Sequence, residues 1–549
     1  MRFQQQISAC LRRGTALTVA ALMFGSGLSV SAFGQATTPP APPAQASQTS
    51  AGQPAQQITS TTGALKITQD DAVKMALENN LGVQAERLNP RIQDLALSRA
   101  YSAYTPELFA TTTRSSSSAP PRDFLSQGVA VTTSGNLFAN GGIRQQVPWF
   151  GGAYSIGLAG SRATSDAPRT AFSPQLGSDL DFAYDQPLLR GFRIDSFRSN
   201  IETQKNESTI VDLQLVERIT QTSRQVRNAY LTLVNAISSM DVAQQQLDLT
   251  RQTLKNNQRR VEVGTMAPID IVAAEAEVAR SEEGVILQEG SIEAAQDVLR
   301  TLIINPQQSD LWTMKIEPAE QPVLTQQPID VETITRNALA NRTDIGQLRK
   351  QIDNVDVNIR FNKDQKLPAV NLRAGYGLTG VGGTQFEYGS DPIGGGVPPI
   401  ISSSQRSFSD VLHDVFGNDF RSWNFSVNFS YPLGTSLADA ALAQSRLQRQ
   451  QGDVSLRELE LEITRQVRDA ARQVQTSMKR VEATRKAREL AERQLEAEEK
   501  RLAVGLSDTF RLVQTQRDLN VQKQAELRAI IEYNRALIDL EAVQVVPIR

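Results

Sequence analysis

Two residue types that most often carry out chemistry occur once each in this chain: His413 and Cys10. A histidine titrates near neutral pH and can act as a base or a metal ligand. A cysteine can be a nucleophile, a metal ligand or half of a disulfide. The flank of His413, SDVLHDVFG, holds no nucleophile motif, so we read it as an ordinary loop residue. Cys10 precedes the apolar core of an N-terminal leader, so the mature chain has no thiol for catalysis, a metal site or a disulfide. The glycine-rich stretches at 380–383 and 394–396 lack the strand-to-helix setting of a phosphate loop. The chain therefore offers no catalytic residue, no cofactor site and no metal cluster, and an enzyme is the weakest reading.

Charge excludes another class. Lys and Arg number 57 against 59 Asp and Glu, leaving a net charge of -2. No basic excess is present to neutralise a phosphate backbone, so nucleic acid is not the expected partner.

Residues 1–34 read as a signal peptide: Arg2, Arg12 and Arg13, then the apolar run ALTVAALMFGSGLSV, then small residues before Gln35. Residues 35–63 are rich in Pro, Ala, Gln, Ser and Thr and read as a disordered linker. No later stretch approaches the ~18 apolar residues of a transmembrane helix.

The remainder reads as a duplication. AVKMALENN at 72–80 matches TITRNALANR at 333–342, placing Ala76 on Ala338 at an offset of 262. Pro106 falls on Pro368 at the same offset. DQPLL at 185–189 then pairs with SYPLG at 430–434, with Pro187 on Pro432 at 245, and Val263-Gly264 pairs with Val504-Gly505 at 241. The drop from 262 to 245 gives the first half 17 more residues between the two prolines. The expected repeats are 64–312 and 313–549.

Each repeat shows two textures. Between the prolines the period is two. Trp423, Phe425, Val427, Phe429 and Tyr431 alternate with Asn424, Ser426, Asn428 and Ser430. Val370, Leu372, Ala374, Tyr376 and Leu378 alternate with Asn371, Arg373, Gly375, Gly377 and Thr379, and Leu180, Phe182 and Tyr184 oppose Asp181, Ala183 and Asp185. Strands near ten residues, with one apolar and one fully polar face, fit a membrane barrel better than a soluble sandwich. Outside the prolines the period becomes seven. Val226, Leu233, Met240, Leu247, Leu254 and Val261 form one seam, with Ala229, Ala236 and Ala243 three positions later. Val467, Val474, Val481, Arg488, Leu495 and Leu502 repeat it, followed by Ala470, Ser477, Thr484 and Ala491. Such a repeat specifies coiled-coil packing. At ~1.5 Å per residue, helices over 195–263 and 435–503 would each be about 100 Å long. Return helices are expected at 269–303 and 509–543, and shorter ones at 68–104 and 330–364. The breaks VEVGTMAPID and LAVGLSDTF supply Gly264 and Gly505 for tight helix stops, and Pro268 and Thr509 as the residues that restart the helix.

This doubled order resembles the TolC-like outer-membrane efflux and secretion channels over residues 64–546. It is carried by the paired AVKMALENN and NALANR openings, the Pro106 and Pro368 junctions, QPLLRG, YPLG and the VGT and VGL bends. The resemblance implies an α+β membrane protein acting as a homotrimer in the outer membrane. Each chain would give four strands to a shared 12-stranded barrel, and long antiparallel coiled-coil hairpins would form a periplasmic α-barrel. The stretch GGIRQQVPWFGGAYSIGLAGS departs from that plan. An additional hairpin near 129–165 is expected there, outside the barrel or extending it. The bends become periplasmic tips that dock the adaptor (membrane fusion) protein of an inner-membrane pump, with Val263, Gly264, Thr265, Val504, Gly505 and Leu506 as docking candidates. The closed aperture would be lined by Arg511 and Gln514, with Asp270 as the nearest first-half carboxylate. Where some relatives place an aspartate ring, three copies of Arg511 would favour anions. The implied function is a passive exit duct of a tripartite efflux pump or a type I secretion system, carrying small molecules or protein. A structural coiled-coil cell-surface protein is the alternative, and the strands set between helix pairs speak against it.

Overall fold

The computed structural model describes residues 64–120, 131–167, 169–305, 312, 314–320, 328–390, 398–434 and 436–544. The leader, the linker and the stretch 394–396 lie outside them.

The first half opens with β1 (Ala64–Ile67) and three short helices, α1 (Gln69–Asn79), α2 (Leu81–Glu86) and α3 (Leu88–Tyr101). Four strands follow: β2 (Glu107–Ala119), β3 (Thr132–Gln146), β4 (Ala153–Ser165) and β5 (Phe172–Pro187). Then come the long α4 (Ser196–Glu262) and its return α5 (Ile269–Ile303). The second half runs β6 (Lys315–Pro318), α6 (Val331–Asn341), α7 (Thr343–Gln365), β7 (Ala369–Tyr388), β8 (Ile400–Arg406), α8 (Phe408–Gly417), β9 (Arg421–Ser430), α9 (Leu437–Ala503) and α10 (Thr509–Gln544).

Both long helices have 67 residues. Each starts at a side-chain cap: Asp195 accepts from the Arg198 amide at 2.8 Å, and Ser436 forms a reciprocal capping box with Asp439. The heptad seam is buried at Val226, Leu233, Leu247, Val467, Val474, Val481 and Leu495 and half-buried at Met240, Leu254, Val261 and Leu502. Val226 and Leu233 are fully buried on α4, and Val467, Val474 and Val481 on α9. Ala229, Ala236 and Ala243 are also buried, which lets α4 and α5 pack closely. The one charged seam residue, Arg488, is paired on both sides, with Glu492 at 2.7 Å and with Glu526 of α10.

The short helices expected at 68–104 and 330–364 are interrupted. Asn80 and Arg342 leave the helix at matching places in the two halves, with ψ of 119° and 132°. Asn80 then turns its side chain to cap the next helix, accepting from the Gly82 and Val83 amides at 3.0 and 3.2 Å. A residue that ends one helix and caps the next is invisible to a period of seven. Also missed were β1 and β6, four residues each, which pair in parallel. The Tyr230 hydroxyl ties this pair to α4, donating to Ile67 O at 3.2 Å and accepting from the Glu320 amide at 3.3 Å. Ile67 and Ile316 join Val226, Leu233, Leu299 and Ile303 in the largest apolar core.

The seven-stranded sheet is antiparallel throughout, in the order β2-β3-β4-β5-β7, with β8 and β9 both on β7. Residues 371–378 of β7 face β5 on one side and β9 on the other, and Gly383 faces β5 and β8. So β8 and β9 are two parts of one edge, broken by α8. The sheet has six columns, against the four per chain that a 12-stranded trimer requires. The reason is the expected hairpin, which lies inside the sheet as β3 and β4, between the other two first-half strands. His413, read as a loop residue, instead lies exposed on α8, beyond the end of β7 and β8.

Candidate functional site

Register assembles a feature that no single strand shows. One row crosses the whole sheet: Leu108, Ile143, Ile156, Phe182, Tyr376 and Trp423. All six are at least 40 % exposed. On β9 the same face continues with Phe425, Val427 and Phe429, each more than half exposed. An apolar band of this extent does not face water in a stable monomer; it faces lipid or a partner.

The opposite face is polar. Arg144 of β3 makes a two-pronged ion pair with Glu107 of β2, at 2.8 and 2.9 Å. Arg373 of β7 pairs with Asp185 of β5 at 2.9 Å. Asp179, Asp181, Asn424, Ser426 and Asn428 share this face by alternation. Apolar on one side and hydrated on the other is the pattern of a barrel with a wet interior.

The two helix bends are built alike. Gly264 and Gly505 both have φ of 77°. The Gly264 amide donates to Val261 O at 2.9 Å and the Thr265 amide to Arg260 O at 2.8 Å. Gly505 and Leu506 repeat this on Leu502 and Arg501, at 3.2 and 2.8 Å. This is the Schellman stop, and it needs a left-handed residue after the cap. A Cβ at either glycine meets nothing within 4 Å, so only the backbone conformation demands glycine. Gly264→Ala and Gly505→Ala should each destabilise their bend by about 1–2 kcal/mol, read as faster amide exchange in the adjoining helix ends without a change in overall secondary structure.

Val263, Gly264, Thr265, Val504, Gly505 and Leu506, the expected docking candidates, lie at the two helix bends. Val263, Val504 and Leu506 are 73, 70 and 77 % exposed. The restart residues differ in detail. Pro268 precedes α5 as its cap and offers no side-chain bond, whereas Asp508, not Thr509, caps α10 by accepting from the Arg511 amide at 2.8 Å. Arg511 and Gln514 are exposed, one turn apart on α10, and Gln514 donates to Asp518 at 3.0 Å. Asp270 is half-buried in the first turn of α5.

A residue that the sequence alone did not mark is Glu277. Glu277 is buried and accepts from Arg517 of α10, at 2.9 Å from Nε and through a second bond from Nη2. Arg280 approaches it at 3.4 Å. One position away, buried Gln516 donates to Thr253 of α4 at 3.3 Å. These contacts link the two hairpins about two turns from the bends. The Arg517 hydrogen bonds hold the Glu277 carboxyl below its ordinary range, outweighing burial, which acts the other way. A carboxylate with a depressed folded pKa contributes stability that is complete above its unfolded pKa, about 4.3, and is lost as pH falls through the folded value. Glu277→Gln should therefore loosen the hairpin link at pH 7, by about 1–2 kcal/mol after allowance for the partly exposed Arg517. Below the folded pKa the variant and the parent should converge. Amide exchange of 270–280 and 510–520 against pH measures this.

Among the described residues no helix is long and apolar enough to cross a membrane. The architecture is that of the TolC-like channels, and solved structures agree along most of the chain. A membrane protein from Pseudomonas aeruginosa shares 16 % identity with a TM-score of 0.61, covering 87 % of this chain and 92 % of that one. The CmeC outer membrane channel of Campylobacter jejuni gives 13 %, 0.59, 87 % and 85 %, and the open state of the Neisseria gonorrhoeae MtrE outer membrane channel gives 17 %, 0.58, 87 % and 88 %. Residues 334–543 match the family model of the outer membrane efflux proteins. No curated protein matches the sequence.

Proposed function

We propose that the chain is the outer-membrane exit duct of a tripartite efflux pump or type I secretion system, working as a homotrimer. The observation that carries this reading is the in-register apolar row across six strands, backed by a polar face. Lipid would cover the first and water would fill the second. The duct performs no chemistry; an inner-membrane pump supplies the energy. Docking of the periplasmic adaptor at residues 263–265 and 504–506 would favour an open arrangement of the hairpins over a closed one.

Oligomerisation is supported by contacts that have no counterpart in a single chain. We read 64–312 and 313–549 as structural repeats. Helix α7 packs on α9 of its own half and on α4 of the other; α3 packs on α4. The repeat logic then assigns α3 a second neighbour, α9 of another copy. The contact of Asn354 with Asn206, at 2.9 Å, maps at the two offsets onto Ile92 and Leu447. Both are exposed, at 61 and 66 %, and each lies in an exposed apolar stripe: Leu88, Ile92 and Leu95, and Leu447, Val454 and Leu461. A head-to-tail contact of this kind closes into a ring when the rotation between copies divides a full turn, as three-fold symmetry would.

A trimer brings three copies of Arg511 and Gln514 to the narrow end, with Asp270 nearby. Planar-bilayer conductance is therefore the test. The parent channel should prefer anions, and Arg511→Asp should shift the reversal potential towards cations. A channel whose selectivity ignores this substitution would remove Arg511 from the aperture, and the absence of any channel activity would count against the duct.

A further inference from the structure

The geometry points to an 18-stranded shared barrel, closed by pairing β2 of one copy with β9 of the next. This rests on the trimeric duct reading and changes its dimensions. Three observations carry it.

First, the extra hairpin belongs to the wall. β3 takes thirteen ladder pairs from β2 and thirteen from β4, with no register shift. Ile143 and Ile156 place it in the exposed apolar row between Leu108 and Phe182. Its turn is fixed at the base of the wall. Phe150 stacks on Phe192 at 4.8 Å, and Phe150 O accepts from Gln186 at 2.7 Å. A hairpin lying outside the barrel would have no reason to carry the row in register.

Second, the open edges match. Among the described residues β2 pairs only with β3, and β9 only with β7, so each presents an open edge of amides and carbonyls. Edges of 13 and 10 residues are templates for another strand. An even number of antiparallel columns makes the two edges run in opposite directions, as an antiparallel closure needs.

Third, the repeat supplies a register. Pro187 of β5 pairs with Asn371 of β7. At offsets of 245 and 262 this maps onto Pro432 and Phe109, so Ser426 lies opposite Ser115 of the next copy. The same register sets Phe429 opposite Thr112 and Val427 opposite Arg114, which keeps the face of the apolar row on one side. Trp423 then meets Ser118, so the row that began at Leu108 gains ten residues per copy. At roughly 3.3 Å per residue and 4.8 Å per strand, that is a tilt of about 45–50°, at the steep end for barrels. Because diameter grows nearly in proportion to strand number, this barrel would be about half again as wide as a 12-stranded one.

The test is Ser115→Cys with Ser426→Cys in the full-length protein, oxidised mildly in membranes and run on a non-reducing denaturing gel. Covalent dimers and trimers that collapse on reduction are expected. Ser118→Cys with Ser426→Cys puts the thiols on opposite faces and should give none. A cryo-electron microscopy section of the unmodified protein in lipid nanodiscs should count 18 strands. A trimer with 12 strands and the hairpin outside, or one that cross-links only in the opposite-face pair, overturns this inference and leaves the duct standing. A monomer would overturn the duct reading as well.

Discussion

Phe182→Arg is expected to remove most folded assembly from the membrane. Phe182 sits at the middle of the exposed row, between Ile156 and Tyr376. If that row faces lipid, an arginine there costs about 2–4 kcal/mol near the bilayer midplane, and a trimer incurs the cost three times. One residue on, Ala183 points to the polar face, paired with Ser155 and Gly375. Ala183→Arg should leave the assembly nearly intact and alter conductance instead. The readout is the fraction of heat-resistant oligomer on a denaturing gel, compared between the two variants. Equal behaviour of the pair would mean that the two faces do not differ in environment.

The second large effect is in the helical core. Leu233 is fully buried with Val226, Tyr230, Leu299 and Ile303, where α4, α5 and the β1–β6 pair meet. Leu233→Ala deletes a branched side chain from a close-packed site and should destabilise the protein by about 3 kcal/mol, within the ~2–5 range of such changes. Leu490 lies on the other long helix at 63 % exposure. Leu490→Ala should stay within about 0.5 kcal/mol of the parent. Chemical denaturation followed by circular dichroism distinguishes them.

The elements that sequence revealed are those with a sustained period. Seven-residue spacing located α4 and α9 to within two residues, because a long seam of buried apolar side chains leaves a periodic trace. Alternation located β5, β7 and β9, though β7 runs nine residues past the quoted stretch. The tips were legible because Gly264 and Gly505 are required by backbone conformation, which a single residue type reports. What sequence concealed was relational. The row through Leu108, Ile143, Ile156, Phe182, Tyr376 and Trp423 exists only once register is known. Glu277 looks like any surface glutamate until Arg517, 240 positions later, is placed beside it. The position of β3 and β4 inside the sheet was left open for the same reason: their residues show strand character, and neighbours decide the column.

The most direct measurement is the native mass of the full-length protein extracted in mild detergent from fractionated membranes. A particle of three chains, recovered with the outer membrane, is the expected result. A monomer in the soluble fraction, or an assembly of another number in another membrane, would contradict the shared barrel and leave the exposed row in need of a different partner.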